Sequence, residues 1–196
     1  MFSAELKKNT QNVHAELEKI LVIHIRKIGS AADYIDLLEL MFGFYYPLQQ
    51  QLLPFLDNQH FSGRQRGRQA GNILADTRYF NPGQNKQPLL CGVLPQITSY
   101  PSSLGALYVL EGSTLGGRII TGMIARQLGM NPDRGFSFFN AYGEETTAMW
   151  DNFKLLLDSP WTDEEKEEIT AAASGTFSAF KNWIIYLQQI NSIDRA

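Results

Sequence analysis

Apolar residues recur along most of the chain at intervals of three and four positions, which is the period of one face of an α-helix. This pattern predicts helices over residues 3–28, 31–56, about 63–76, about 102–128, 144–157 and 163–190. Strand-like alternation of apolar and polar residues is nowhere sustained. The sequence therefore predicts an all-α fold, and the lack of repeats and low-complexity linkers predicts a single domain over residues 1–196.

The predicted helix boundaries carry typical stop and start residues. Gly29 ends the first helix, because glycine is favoured just beyond a helix C-terminus, and Ser30 with Asp33 begins the second. Thr162 and Glu165 have the spacing of a capping box and begin the last helix. The chain is thus expected to change from one helix to the next at defined positions.

Two features interrupt the helical pattern. Pro47 is expected to bend the second helix, because an internal proline removes a backbone hydrogen bond and crowds the preceding turn. Residues 133–143 follow the helix stop at Gly129 and Pro132 and are the least helical part of the chain. We expect them to form a loop that packs its aromatic residues against the core.

Composition narrows the class of protein. The chain has 196 residues, of which 44% are hydrophobic, so it is long enough to bury a sizeable core. Its 17 basic and 20 acidic residues give a net charge of −3, and the basic segment at Arg64, Arg66 and Arg68 does not place its charges on one helix face. This balance argues against a nucleic-acid partner, which a protein usually meets with a strongly basic surface.

Neither a secretion signal nor a membrane span is visible in the sequence. The chain begins with the polar segment SAELKKNTQN after Phe2, and no apolar run approaches the ~20 residues needed to cross a bilayer. Cys91 is the single cysteine, so it cannot form an internal disulfide, and we expect a buried apolar role rather than a nucleophile. We therefore expect a soluble, cytoplasmic protein without a membrane partner.

The most informative segment runs from Leu104 to Arg118 and reads LGALYVLEGSTLGGR. Its helical periodicity continues through Gly112, Gly116 and Gly117, although each interior glycine costs about 1 kcal/mol relative to alanine. Gly112 and Gly116 lie four residues apart, so their bare backbones face the same side of the helix. Two explanations are open at this stage: a second helix packs closely here, or a flat ligand lies on the backbone.

His14 is the best candidate for a metal ligand among the three histidines of the chain. It adjoins the apolar stripe of the first helix, where a structural histidine is commoner, but its neighbours favour a ligand role. Lys7 lies two turns earlier on the same face and could meet an acidic group of a ligand. Glu18, one turn later, could hydrogen-bond to the second ring nitrogen. His24 and His60 are better interpreted as structural or exposed.

Three segments of the chain resemble the heme oxygenases. Residues 6–18 (LKKNTQNVHAELE) resemble the opening helix of that family, whose histidine is the proximal ligand of the heme iron. Residues 104–117 closely resemble the distal helix of the bacterial members, and residues 135–143, followed by Trp150 and Phe153, match the same branch. The three segments occur in the family's order and together extend over most of the chain.

The resemblance implies that heme lies between the first helix and a glycine-kinked distal helix, with His14 as the iron ligand. The residues implied to contact the heme are Lys7, His14, Tyr108, Gly112, Gly116, Gly117 and Phe177. Those implied to act on the face of the heme where O2 binds are Gly112, Ser113 and Gly116. Mammalian members have an aspartate at the position of Ser113, which anchors a chain of waters. In this chain either Ser113 or Arg118 could take that role. The resemblance implies that Lys7 and Tyr108 contact the heme propionates, and Lys154 is a further candidate.

The implied reaction is oxidative cleavage of heme to biliverdin, carbon monoxide and iron, with O2 and an external electron donor of the ferredoxin or reductase type. One alternative is a protein that binds or stores heme without degrading it. Another is a helical enzyme of similar fold with other chemistry, such as a thiamine-degrading hydrolase or a di-iron oxidase. A di-iron site of that kind uses repeated Glu-x-x-His pairs, and none of the histidines follows a glutamate at that spacing.

Overall fold

The computed structural model describes residues 1–56, 70–83 and 87–193, and the side chains among them up to residue 190. Within these residues the chain forms α-helices and no strand. The helices are α1 (Phe2–Arg26), α2 (Ala31–Leu52), α3 (Ala70–Phe80), α4 (Tyr100–Ser113), α5 (Gly117–Leu128), α6 (Ser137–Asn140), α7 (Thr146–Leu157) and α8 (Asp163–Ile193). The all-α prediction is therefore confirmed.

The helices α4 and α8 form the centre of the fold. Every residue of α4 from Ser102 to Glu111 is buried, as expected for a helix that is covered on all sides. The long helix α8 packs against both α4 and α1, while α2 packs on α3, and α6 lies against α3 and α5. Since α1 and α4 both lie against α8, the two segments that carry His14 and the glycines belong to one packed unit.

The two predicted capping motifs are present. The Ser30 hydroxyl accepts a hydrogen bond from the Asp33 backbone N–H at 3.2 Å, and the Asp33 carboxylate accepts from the Gly29 N–H at 3.0 Å. At the start of α8, the Glu165 N–H donates to Thr162 Oγ1 at 3.2 Å, and the Thr162 N–H donates to Glu165 Oε2 at 2.8 Å. These bonds satisfy backbone donors that a helix N-terminus leaves without an intrahelical partner.

Some predicted boundaries were wrong. The helix predicted over 102–128 begins at Tyr100 and is interrupted by a 3-10 turn at Thr114–Gly116. The helix predicted over 31–56 ends at Leu52 and continues as a 3-10 turn over Leu53–Phe55. Pro47 lies inside α2, and its bend stays a prediction. The third helix reaches Phe80 instead of residue 76, while its predicted start and the residues His60, Arg64, Arg66 and Arg68 lie outside the described residues.

The segment 133–143 is not only a loop, because it contains the one-turn helix α6. Its residues Phe136, Phe138 and Phe139 are buried in the core, as the sequence predicted. The carboxylate of Asp76 on α3 is 2% exposed and accepts hydrogen bonds from the backbone N–H groups of Ser137 and Phe138. Burial raises the pKa of Asp76, opposed by these hydrogen bonds. A distant carboxylate therefore caps this turn.

In the described part of the chain, no helix is both long and apolar enough to cross a membrane.

Candidate functional site

His14 lies on α1 beside α8, with its side chain 50% exposed. Its Nε2 atom is 3.2 Å from Oε1 of Glu18, so the expected contact between these two residues is present, and it engages Nε2. On the other side, the imidazole stacks on the ring of Phe177, with 4.9 Å between ring centroids and 28° between planes. The ring is thus oriented by a carboxylate and an aromatic face while half of it stays accessible.

A row of aromatic rings connects His14 to α4 and α7. Phe177 meets Tyr108 edge-on, with centroids 6.4 Å apart, and Tyr108 meets Trp150 at 5.6 Å. Trp150 in turn stacks on Phe153 at 5.8 Å. We call Phe177, Tyr108 and Trp150 the aromatic wall. Burial raises the pKa of Tyr108, opposed by a hydrogen bond with the Thr10 side chain. Tyr108 is therefore held neutral within this wall.

The glycines of α4 and of the turn that follows it have different surroundings. A Cβ atom added at Gly105 would lie 2.2 Å from the Ile169 carbonyl oxygen and 2.9 Å from the Ala173 nitrogen, so α8 crosses α4 in direct backbone contact there. Among the described residues outside the local helix backbone, a Cβ at Gly112 would meet only the Trp150 ring, at 3.5 Å, and one at Gly116 would meet only Ile120 Cδ1, at 3.9 Å. Close helix packing explains Gly105 and does not explain Gly112 or Gly116.

The helix is interrupted where the glycines cluster. Ser113 ends α4, the 3-10 turn covers Thr114–Gly116, and Gly117 begins α5. Two side-chain hydroxyls hydrogen-bond to the backbone where α4 gives way to the 3-10 turn. Thr114 Oγ1 donates to the Glu111 carbonyl at 2.6 Å, and Ser113 Oγ donates to the Leu110 carbonyl at 2.6 Å. A 3-10 turn inside a helix commonly marks a functional site or a strained sequence.

Tyr45 on α2 is a site residue that the sequence analysis did not identify. Its hydroxyl lies 3.1 Å from Ser113 Oγ, and it is 2% exposed. Because the Ser113 proton goes to the Leu110 carbonyl, Tyr45 is the donor in its contact with Ser113. The aromatic and apolar spacing of α2 carries no sign of this contact, since the partner is 68 positions away.

The basic residues predicted to serve the site are either exposed at the surface or paired with a carboxylate. Lys7 and Arg118 are exposed. The ammonium of Lys154 lies 2.9 Å from the Asp151 carboxylate, one turn earlier on α7. The contacts that the structure does show among the predicted site residues are those of His14 with Phe177 and of Phe177 with Tyr108.

Two observations bear on other chemistries. Among the residues that the structure describes, no group of three or more His, Cys, Asp or Glu side chains could hold a metal ion. Cys91 is buried, as predicted, and its thiol donates to the Val93 carbonyl at 3.3 Å. Burial raises the pKa of this thiol, which disfavours the thiolate that a nucleophilic cysteine needs.

Comparisons with known proteins show similarity to heme oxygenases. The family model for heme oxygenase matches residues 95–185. A heme oxygenase from Xanthomonas campestris pv. campestris (strain 8004) is 32% identical over 111 residues, which are 56% of this chain and 62% of that protein. The match thus spans less than two thirds of the curated relative.

The fold comparison extends over nearly the whole chain. The solved structure of heme oxygenase from Leptospira interrogans superposes with a TM-score of 0.75 and covers 93% of this chain and 98% of that one, at 20% sequence identity. At this identity the match establishes the fold, and the sequence matches to residues 95–185 add the family signal. The chain is therefore similar to heme oxygenases in sequence over its second half and in fold over nearly its whole length.

Proposed function

We propose that the chain is a heme oxygenase of one domain over residues 1–196, which cleaves heme to biliverdin, carbon monoxide and iron. O2 and an external electron donor of the ferredoxin or reductase type would be the co-reactants. The observation that carries the proposal is the pair Gly112 and Gly116, whose missing side chains no packed helix explains. A flat substrate against the backbone of residues 112–116, at the end of α4 and in the 3-10 turn, accounts for both glycines.

The residues of the site fit heme. His14 supplies the single imidazole that heme iron needs from a protein, and its half-exposed ring is accessible to a ligand. Glu18 on one ring nitrogen would orient the imidazole and increase its basicity toward iron at the other nitrogen. Phe177 and Tyr108 would give the substrate an apolar edge. Heme itself supplies the redox chemistry, and the chain's residues bind, orient and exclude water.

The oxygen side would be served by Gly112, Ser113, Gly116 and Gly117. Side chains at Gly112 and Gly116 would occupy the space next to the substrate, and their absence leaves it free. The Ser113 hydroxyl, held by Tyr45 and by the Leu110 carbonyl, is a fixed polar group next to Gly112. We propose that it anchors waters that deliver protons, with Tyr45 as the donor behind it. Lys7 and the Tyr108 hydroxyl are the proposed partners of the heme propionates, with Lys154 as a further candidate.

The test is to add hemin to the purified protein, supply a reductase and ferredoxin, and follow the spectrum under air. If the chain is a heme oxygenase, the heme absorption of the mixture disappears and that of a bilin appears. Carbon monoxide is released and can be trapped by a reduced globin. A protein that only binds or stores heme would keep its heme spectrum under the same conditions. Failure to bind hemin at all would refute both heme cleavage and heme storage, and would favour a helical enzyme with other chemistry.

A further inference from the structure

We use the name glycine face for the backbone surface at Gly112 and Gly116, and Trp150 closes it at one end. At Gly112 the added Cβ position lies 3.5 Å from Cη2 and 3.6 Å from Cζ3 of Trp150. These atoms belong to the outer edge of the six-membered ring, the part of the indole farthest from the backbone. At Gly116 the nearest atom is Ile120 Cδ1, at 3.9 Å. Trp150 therefore bounds the glycine face at its Gly112 end.

The indole is held in this position by other rings. Trp150 stacks on Phe153 with 28° between planes, and Phe153 is 5% exposed in the core. A second ring contact is with Tyr108, tilted by 47°. A tryptophan has few rotatable bonds, and two ring contacts restrict them further. The outer edge of Trp150 is thus a defined boundary, unlike the flexible side chain of the exposed Lys7.

We propose that Trp150 is a specificity-determining residue, which acts as the stop for one edge of the heme and thereby selects the meso carbon that is cleaved. The inference rests on the proposed heme oxygenase function. Heme can rotate about the bond between its iron and His14, and each rotation brings a different edge over the oxygen side. A fixed ring at the Gly112 end of the glycine face disfavours rotations that would push peripheral groups into it.

The experiment compares three variants with the wild-type chain. Trp150→Ala removes the ring, and Trp150→Phe keeps the stack on Phe153 but withdraws the outer edge from Gly112. Trp161→Phe is the matched control, because Trp161 packs on Tyr100 and donates to the Leu157 carbonyl outside the site. Two readouts are taken: the heme methyl resonances of the ferric complex, which report heme orientation without turnover, and the biliverdin isomers separated by chromatography.

We expect both Trp150 variants to bind heme and to change the ratio of heme orientations by about two- to tenfold, as an aromatic contact of ordinary strength would. The isomer ratio should change in the same direction, and Trp161→Phe should match the wild type in both. Unchanged resonances in Trp150→Phe would overturn the inference even if Trp150→Ala failed to fold. A wild-type chain that binds heme but forms no bilin would refute the proposed function, while the resonances would still test Trp150.

Discussion

Replacement of Gly116 by alanine should separate stability from catalysis. Gly116 has φ −81° and ψ −8°, which alanine adopts without strain, and its added Cβ would lie 3.9 Å from Cδ1 of Ile120. The folded heme-free protein should therefore gain the usual benefit of alanine over glycine, about 0.5–1 kcal/mol. For a chain of this size that gain corresponds to a Tm increase of about 1–4 °C.

Turnover should change in the opposite direction. The new methyl group would enter the space proposed for the substrate, and an overlap of this kind costs about 1–3 kcal/mol, or about 5- to 150-fold in rate. Gly116→Leu should still fold and bind heme but form no bilin. Gly122→Ala is the matched control, because it lies on α5 and its added Cβ would have no neighbour within 4 Å. It should gain similar stability and keep full activity.

Gly105→Ala completes the comparison. Its Cβ would overlap the backbone of α8 at Ile169 and Ala173, so this variant should lose about 1–3 kcal/mol of stability or more. Thermal unfolding of the heme-free proteins and bilin formation from the heme complexes measure the two effects separately. If Gly116→Ala unfolds at a lower temperature than the wild type, or forms bilin at the rate of Gly122→Ala, the glycine face serves the fold and not the substrate.

Four further predictions concern other residues. His14→Ala should lose the imidazole-ligated heme spectrum and most turnover, with partial recovery on added imidazole; loss in His24→Ala instead would reassign the ligand. Lys7→Ala combined with Tyr108→Phe should bind and cleave heme but give mixed biliverdin isomers, since an exposed charge contact is worth only about 0–1 kcal/mol of affinity while ~1.4 kcal/mol changes an orientation ratio tenfold; an unchanged isomer ratio would mean that other residues orient the heme. Tyr45→Phe should leave heme binding intact and slow bilin formation with a larger solvent isotope effect, and an unchanged rate would remove Tyr45 from proton delivery. Burial lowers the pKa of His24 in the folded chain, so the unfolded chain binds the proton more readily and the free energy of unfolding should fall as pH drops below about 6.5. In His24→Gln, denaturant unfolding at several pH values should show a smaller change of this free energy with pH.

Local sequence patterns predicted the helices and their caps well, because those features depend on neighbours in the chain. Ser30 and Thr162 cap their helices by accepting hydrogen bonds from backbone N–H groups three positions away, so both motifs are visible in the sequence alone. Contacts between distant segments were not predictable in the same way. The carboxylate of Asp76 caps α6 across 61 positions, and Tyr45 reaches Ser113 across 68. Neither pairing leaves a periodic signal, so α6 and the role of Tyr45 required the fold.

The glycines show most clearly what spacing alone leaves open. Gly105 and Gly112 are seven positions apart, two helical turns, and so lie on nearly the same side of α4. Helices that cross at an angle touch at one level and separate along their length. At Gly105 the backbone of α8 excludes any side chain, whereas at Gly112 no α8 atom lies within 4 Å of the added Cβ and only the edge of Trp150 does. The same spacing thus has a packing cause at Gly105, and beyond the crossing the space that α8 leaves is the space we assign to heme.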